Sequence, residues 1–216
     1  YYGSQKPESF RKWHDETPEG FVFSLKASRY ATNRRVLAEA GDSIERFFNS
    51  GVLELKQKLG PVNWQFMPTK KFDAADFEAF LKLLPRKIDG RTIRHGVEAR
   101  HESFRNPAFI AMLREHGVAA VIAGDSEFPQ IADMTADFVY ARIMGTQADE
   151  PLGYPGKTLD LWAKRAKLWA AGKIPKDLPQ VEPASADGKA RDVFLYVISG
   201  AKLRNPAAAR ALIERV

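Results

Sequence analysis

Along the chain, short runs dense in apolar residues alternate with stretches whose apolar positions recur every three or four residues. The runs predict strands at FVFSLKAS (21–28), PVNWQFMP (61–68), HGVEARH (95–101), VAAVIAGDS (118–126), DFVYARIMG (137–145) and DVFLYVISG (192–200). The periodic stretches predict helices between them. In DAADFEAFLKLLP, Asp73 stands at the N-cap, and Phe77, Phe80, Leu81 and Leu84 fall on one face. Asn106-Pro107 opens NPAFIAMLREHG, and Gly117 stops it. Thr158 begins TLDLWAKRAKLWAAG, with Leu159, Trp162, Ala166 and Trp169 on a common side, and Asn205-Pro206 begins the last helix. Residues 43–59 have helical character that Gly51 interrupts, while 172–190, with Pro175, Pro179 and Pro183 and no periodicity, predict a loop.

A β-α-β-α order predicts an α/β fold, a parallel sheet covered by helices, in a single domain over 1–216. Order alone leaves an open doubly wound sheet and a closed barrel both standing. The polar positions favour the barrel. Side chains alternate across a strand, so Ser24 and Lys26 share a face, as do Asn63 and Gln65, Glu98 and Arg100, and Tyr140 and Arg142. The opposite faces carry Phe23, Leu25, Trp64, Phe66, Val97, Ala99, Val139, Ala141 and Ile143. A face buried under helices cannot hold that many unpaired charges. A barrel lumen opening at the C-terminal ends of its strands can, because charges there meet one another and water.

Composition narrows the chemistry. The 216 residues contain no cysteine, which excludes disulfides, thiol nucleophiles and cysteine metal sites. No apolar run is long enough to span a membrane, and a cytoplasmic location is expected. The net charge of +6 fits an anionic ligand, and equally a merely soluble surface.

Several segments together resemble a known family. KPESFRKWHDETPEGFVFSLKASRYATN, KLGPVNWQFMPTKKFD, VEARHESF, LREHGVAAVIAGDS and TADFVYARIMG are similar to successive signatures of the YecE-like family, domain of unknown function 72. The resemblance implies a TIM-type β/α barrel, a bacterial or archaeal cytoplasmic protein and no established activity. Members of that family begin with a glycine-rich strand, a helix and a second strand leading to the aromatic pair that stands here as Tyr1-Tyr2. Against that pattern the chain is expected to be N-terminally incomplete by more than one β-α-β unit of roughly 30 residues, leaving six of eight β/α units. Many members also carry an Asn-Asn-Asp run after the last strand. YVISGAKLRNPAAARALIERV replaces it, so no role of those asparagines carries over.

The candidate site gathers residues at strand ends. Glu98 and Arg100 read either as an ion pair filling the lumen or as a proton carrier beside an anion clamp. His101 reads as a general acid or base or as an exposed loop residue. Asp125 can help catalysis by orienting His101, bind a metal, or cap the turn after its strand. Lys26 and Arg142 are candidate substrate-binding cations, the alternatives being ion pairs to Glu98 and Asp125 respectively. Gln65 and Tyr196 are candidate orienting groups. His14, His95 and His116 read as structural. The strand ends offer few acids and histidines for a metal ion, and two arginines and a lysine share the mouth, so none is expected; the sequence leaves any cofactor unknown. The reading that leads is an enzyme acting on a small anionic or phosphorylated substrate. The alternative is a non-catalytic binding protein for nucleic acid or a phosphorylated ligand. The sequence gives no oligomeric state.

Overall fold

A computed structural model describes residues 5–216, so Tyr1-Tyr2 lies outside the described residues. The chain divides into two compact units, Tyr1–Phe104 and Arg105–Val216.

In the first unit, α1 (Pro7–Glu16) leads to β1 (Phe23–Lys26), and a short α2 (Arg29–Thr32) precedes α3 (Gly41–Phe48). The helical stretch expected over 43–59 is broken where the sequence places Gly51. Its φ of 104° is left-handed, and α3 gives way to a tighter 3-10 segment, Val52–Lys58. β2 (Leu59–Gln65) and α4 (Ala74–Leu83) follow, with the Asp73 carboxylate accepting from the Asp76 N–H at 2.9 Å as the N-cap pattern requires. Phe77, Phe80, Leu81 and Leu84 are all buried. A small antiparallel hairpin, β3 (Lys87–Ile88) and β4 (Arg91–Thr92), precedes β5 (His95–Glu98). This hairpin was not expected, although its turn, Asp89-Gly90, has both φ angles positive, the turn type that Asp-Gly favours.

β1, β2 and β5 run parallel in that order, with Lys26 beside Asn63 and Gln65 beside Glu98. On one face of β2, Trp64 packs among Phe47, Phe48, Phe80 and His95. The other face carries Asn63, whose amide meets Glu98. Buried Lys58 ties α1 to this unit. Its ammonium donates to the carbonyls of His14 and Thr17, orphan acceptors at the end of α1.

The second unit holds α5 (Pro107–His116), β6 (Ala119–Gly124), β7 (Phe138–Ile143), α6 (Gly156–Ala170), β8 (Asp192–Val197) and α7 (Asn205–Ile213). Asn106 caps α5 through the Ala108 N–H at 2.9 Å, and Gly117 ends it in the left-handed region. α6 begins at Gly156 after Pro155, two residues before Thr158. β6, β7 and β8 are parallel and consecutive. Ile122, Val139, Ala141 and Ile143 pack with Leu159, Trp162, Trp169 and Leu212 of α6 and α7. The opposite face is a second apolar layer of Ala119, Val121, Phe138 and Tyr140 against Phe194 and Tyr196.

No helix separates β6 from β7. Two side chains fix that connection instead. Thr135 donates to the Val118 carbonyl at 2.7 Å and accepts from the Ala120 N–H at 2.8 Å. The Asp133 carboxylate, buried, accepts from the N–H groups of Val181 and Glu182, both at 2.8 Å, and so anchors the long loop after α6.

Candidate functional site

The first unit brings Glu98, Arg100 and Asn63 together. Glu98 ends β5 and is wholly buried. Its carboxylate accepts from Arg100 Nη2 at 2.6 Å and Nε at 2.7 Å, and from Asn63 Nδ2 at 3.1 Å. Alternation sets this geometry. Asn63 and Glu98 lie on the face of their strands away from Trp64, and the β2–β5 register sets Gln65 beside Glu98. Asn63 Oδ1 is buried and has no hydrogen-bond partner. Sequence reasoning put Asn63 on this face but did not count it in the site. The signal was there, since a buried amide one strand over from a buried acid has few other partners. Gln65 is buried on the same face.

His101 lies three residues past Glu98, with its imidazole turned to its own loop. Nδ1 accepts from the Ser103 N–H at 3.1 Å and stands 2.8 Å from Ser103 Oγ. This bond leaves the ring proton on Nε2 when the ring is neutral. Lys26 is in register with Asn63, and it also lines a cavity that includes none of the other sequence-derived site residues.

The second unit carries Asp125, Arg142 and Tyr196. Asp125 follows β6 with a φ of 51°, and Trp162 Nε1 donates to its Oδ2 at 2.8 Å. The Tyr154 hydroxyl accepts from the Gly145 N–H at 2.8 Å and stands near this carboxylate. Burial, with the Asp125 charge beside it, raises the Tyr154 pKa well above the ordinary phenol range, so the hydroxyl keeps its proton. Asp125 is thus the polar anchor of its turn. Trp162 in turn lies 4.3 Å under the Arg165 guanidinium, which pairs with Asp177 at 2.8 Å. Arg142 sits in the middle strand in register with Tyr196, whose ring packs 5.3 Å from Tyr140.

His95 is structural by geometry. Its Nδ1 accepts from Trp64 Nε1 at 3.0 Å, and Nε2 lies 2.9 Å from the Pro85 carbonyl. Burial depresses its pKa to about 4. Among the described residues, no group of three or more histidines or carboxylates is placed to hold a metal ion. No helix among them is long and apolar enough to cross a membrane.

These features define a parallel β/α protein with polar groups at the C-terminal ends of its strands. The family model "Protein of unknown function DUF72" matches residues 1–216, and the chain belongs to that family. Its fold is similar to that of a DUF72 family protein from Enterococcus faecalis V583, at a TM-score of 0.69 and 16% identity over 100% of this chain and 80% of that one. A second crystal structure of the Enterococcus protein matches at 0.68, with 16% identity, 100% of this chain and 84% of that one covered. A DUF72 family protein from Thermotoga maritima MSB8 matches at 0.67 and 18% identity, covering 100% of this chain and 80% of that one. At such identities the likeness shows the fold alone. No curated protein matches the chain.

Proposed function

We propose that the protein is a TIM-type β/α-barrel enzyme, one domain across both units, acting on a small hydroxylated anion. The family match over the whole chain and the consecutive parallel strands in each unit support the barrel. The observation that carries the function is Glu98, fully buried at a strand end and held by Arg100 at 2.6 Å. A buried ion pair is seldom a better filling than apolar side chains of the same volume, so its presence here points to use. Arg100 brings a guanidinium, the group suited to carboxylates and phosphates, with its Nε–Nη2 edge held by Glu98, and Glu98 beside it can carry a proton. The buried Asn63 Oδ1 supplies an acceptor for a substrate hydroxyl. In the second unit, Arg142 is the corresponding candidate anion ligand.

A thermal-shift and calorimetric screen of phosphorylated metabolites, hydroxy acids, nucleotides, sulfate and divalent ions tests this. Phosphate or a hydroxy acid should bind, Arg100→Lys should weaken binding by losing the guanidinium, and Glu98→Gln should preserve binding while abolishing turnover. Tight binding of a divalent ion, with no anion affinity, would overturn it.

A second reading, a binding protein without chemistry, is favoured by the Ser103 contacts that tie His101 to its own turn. If nucleic acid is the ligand, affinity falls steeply with salt, in proportion to the phosphates neutralised. A small anion shows a much shallower dependence.

A further inference from the structure

The cavity that Lys26 lines is a separate feature of the first unit. It holds about 480 Å³, within the range of small-molecule sites. It opens beside β1, whose residues are all only partly buried. Phe10 and Trp13 of α1, Leu25 of β1, Phe47 of α3 and Val52 form its apolar wall. Phe10 and Trp13 meet edge to face at 5.2 Å, so the wall is already ordered. Two cations line it, Lys26 and Arg46, with the hydroxyls of Ser43 and Ser50, and no carboxylate lines it among the described residues. Arg46 is exposed on α3.

From this combination we infer that the cavity binds an amphipathic organic anion, a ring or branched apolar body carrying one carboxylate, sulfonate or phosphate. The aromatic wall takes the body, because apolar area leaves water there. Arg46 and Lys26 take the charge at the rim through charge-assisted hydrogen bonds. The volume admits a fused ring pair, and the absence of an acid from the lining among the described residues selects against organic cations. This site is distinct from the Glu98 site, since neither Glu98 nor Arg100 lines it.

The probe is 1-naphthoate, with 1-naphthalenemethanol as its neutral isostere. Trp13 lies in the wall, so its emission reports occupancy. Naphthoate should change Trp emission saturably, and the isostere should bind about tenfold more weakly, the worth of one charge-assisted hydrogen bond. Arg46→Ala should bring naphthoate to the level of the isostere. Arg46→Glu should weaken it further, and both variants change an exposed helix position, where substitutions usually shift stability only slightly. Ser50→Trp should fill the cavity and abolish binding. Arg100→Lys, at the other site, should leave naphthoate binding intact, so the two proposals fail separately. A flat titration, equal binding of naphthoate and isostere, or undiminished binding in Arg46→Glu would overturn the inference. So would a dimer seen by sedimentation that buries Trp13 and excludes the probe.

Discussion

Trp64 Nε1 donates to His95 Nδ1 at 3.0 Å, on the helix-covered face of the first unit. The bond needs a neutral ring, because a protonated Nδ1 cannot accept. Burial holds the folded-state pKa at about 4, below the ordinary 6.5. The unfolded chain therefore binds the proton first. Stability from this group is complete above about pH 6.5 and is lost as pH falls towards 4, a change on the order of 3 kcal/mol. Urea unfolding at a series of pH values should show that decline, and His95→Gln should flatten it. An unchanged slope in the variant would show that other groups carry the acid sensitivity.

This pair also shows what was legible in the sequence. His95 begins an apolar strand, so alternation puts it with Val97 on the helix-covered face and Glu98 on the opposite one. The strands, the Asp73 and Asn106 caps and the Gly51 break follow from local chemistry acting within a few residues. What escaped notice depends on contacts distant along the chain. Arg165 lies on the buried side of α6, because Trp162 receives its guanidinium and Asp177 neutralises it from a later loop. Asp125 looked free to act, yet Trp162, 37 residues on, holds its carboxylate. Trp162 is one helical turn from Arg165, but nothing local signals Asp177 to Arg165 or Trp162 to Asp125.

The connection between β6 and β7 depends on Asp133 in place of a helix. Asp133→Ala leaves the N–H groups of Val181 and Glu182 without their acceptor. The expected loss is about 2–3 kcal/mol, since both bonds reach a charged group and one end is buried. Hydrogen exchange should speed up at Val181 and Glu182 before it does in β6. Uniform acceleration across the unit would instead mean that the carboxylate supports the global fold.

Gly124 ends β6 directly beneath Trp162. A Cβ there would lie 2.5 Å and 2.7 Å from two atoms of the indole and 3.1 Å from Ile143. The ring is fully buried and cannot retreat without disturbing its bond to Asp125. Gly124→Ala should therefore cost roughly 1–3 kcal/mol. Near-UV circular dichroism should change as the indole shifts, while the far-UV spectrum stays the same. A variant of full stability with an unaltered near-UV spectrum would show that the strand end can give way.

The Glu98–Arg100 pair makes its function separable from its contribution to stability. Arg100→Met removes the guanidinium and leaves a wholly buried carboxylate with Asn63 as its remaining donor in this trio. Breaking a buried pair from one side costs about 3–5 kcal/mol, mostly the penalty of the abandoned charge. Glu98→Leu together with Arg100→Met removes both charges, and apolar side chains of similar size fill the space. The double variant should recover much of the loss, less about 1–3 kcal/mol for the Asn63 Nδ2 left without its acceptor, so urea midpoints at constant slope should place it above Arg100→Met. Such recovery would mean that the pair adds little net stability, and that its place at the strand end is explained by the anion it holds. A double variant as unstable as Arg100→Met would mean that the pair holds β5 in place, and the functional reading of Glu98 would then lose its support.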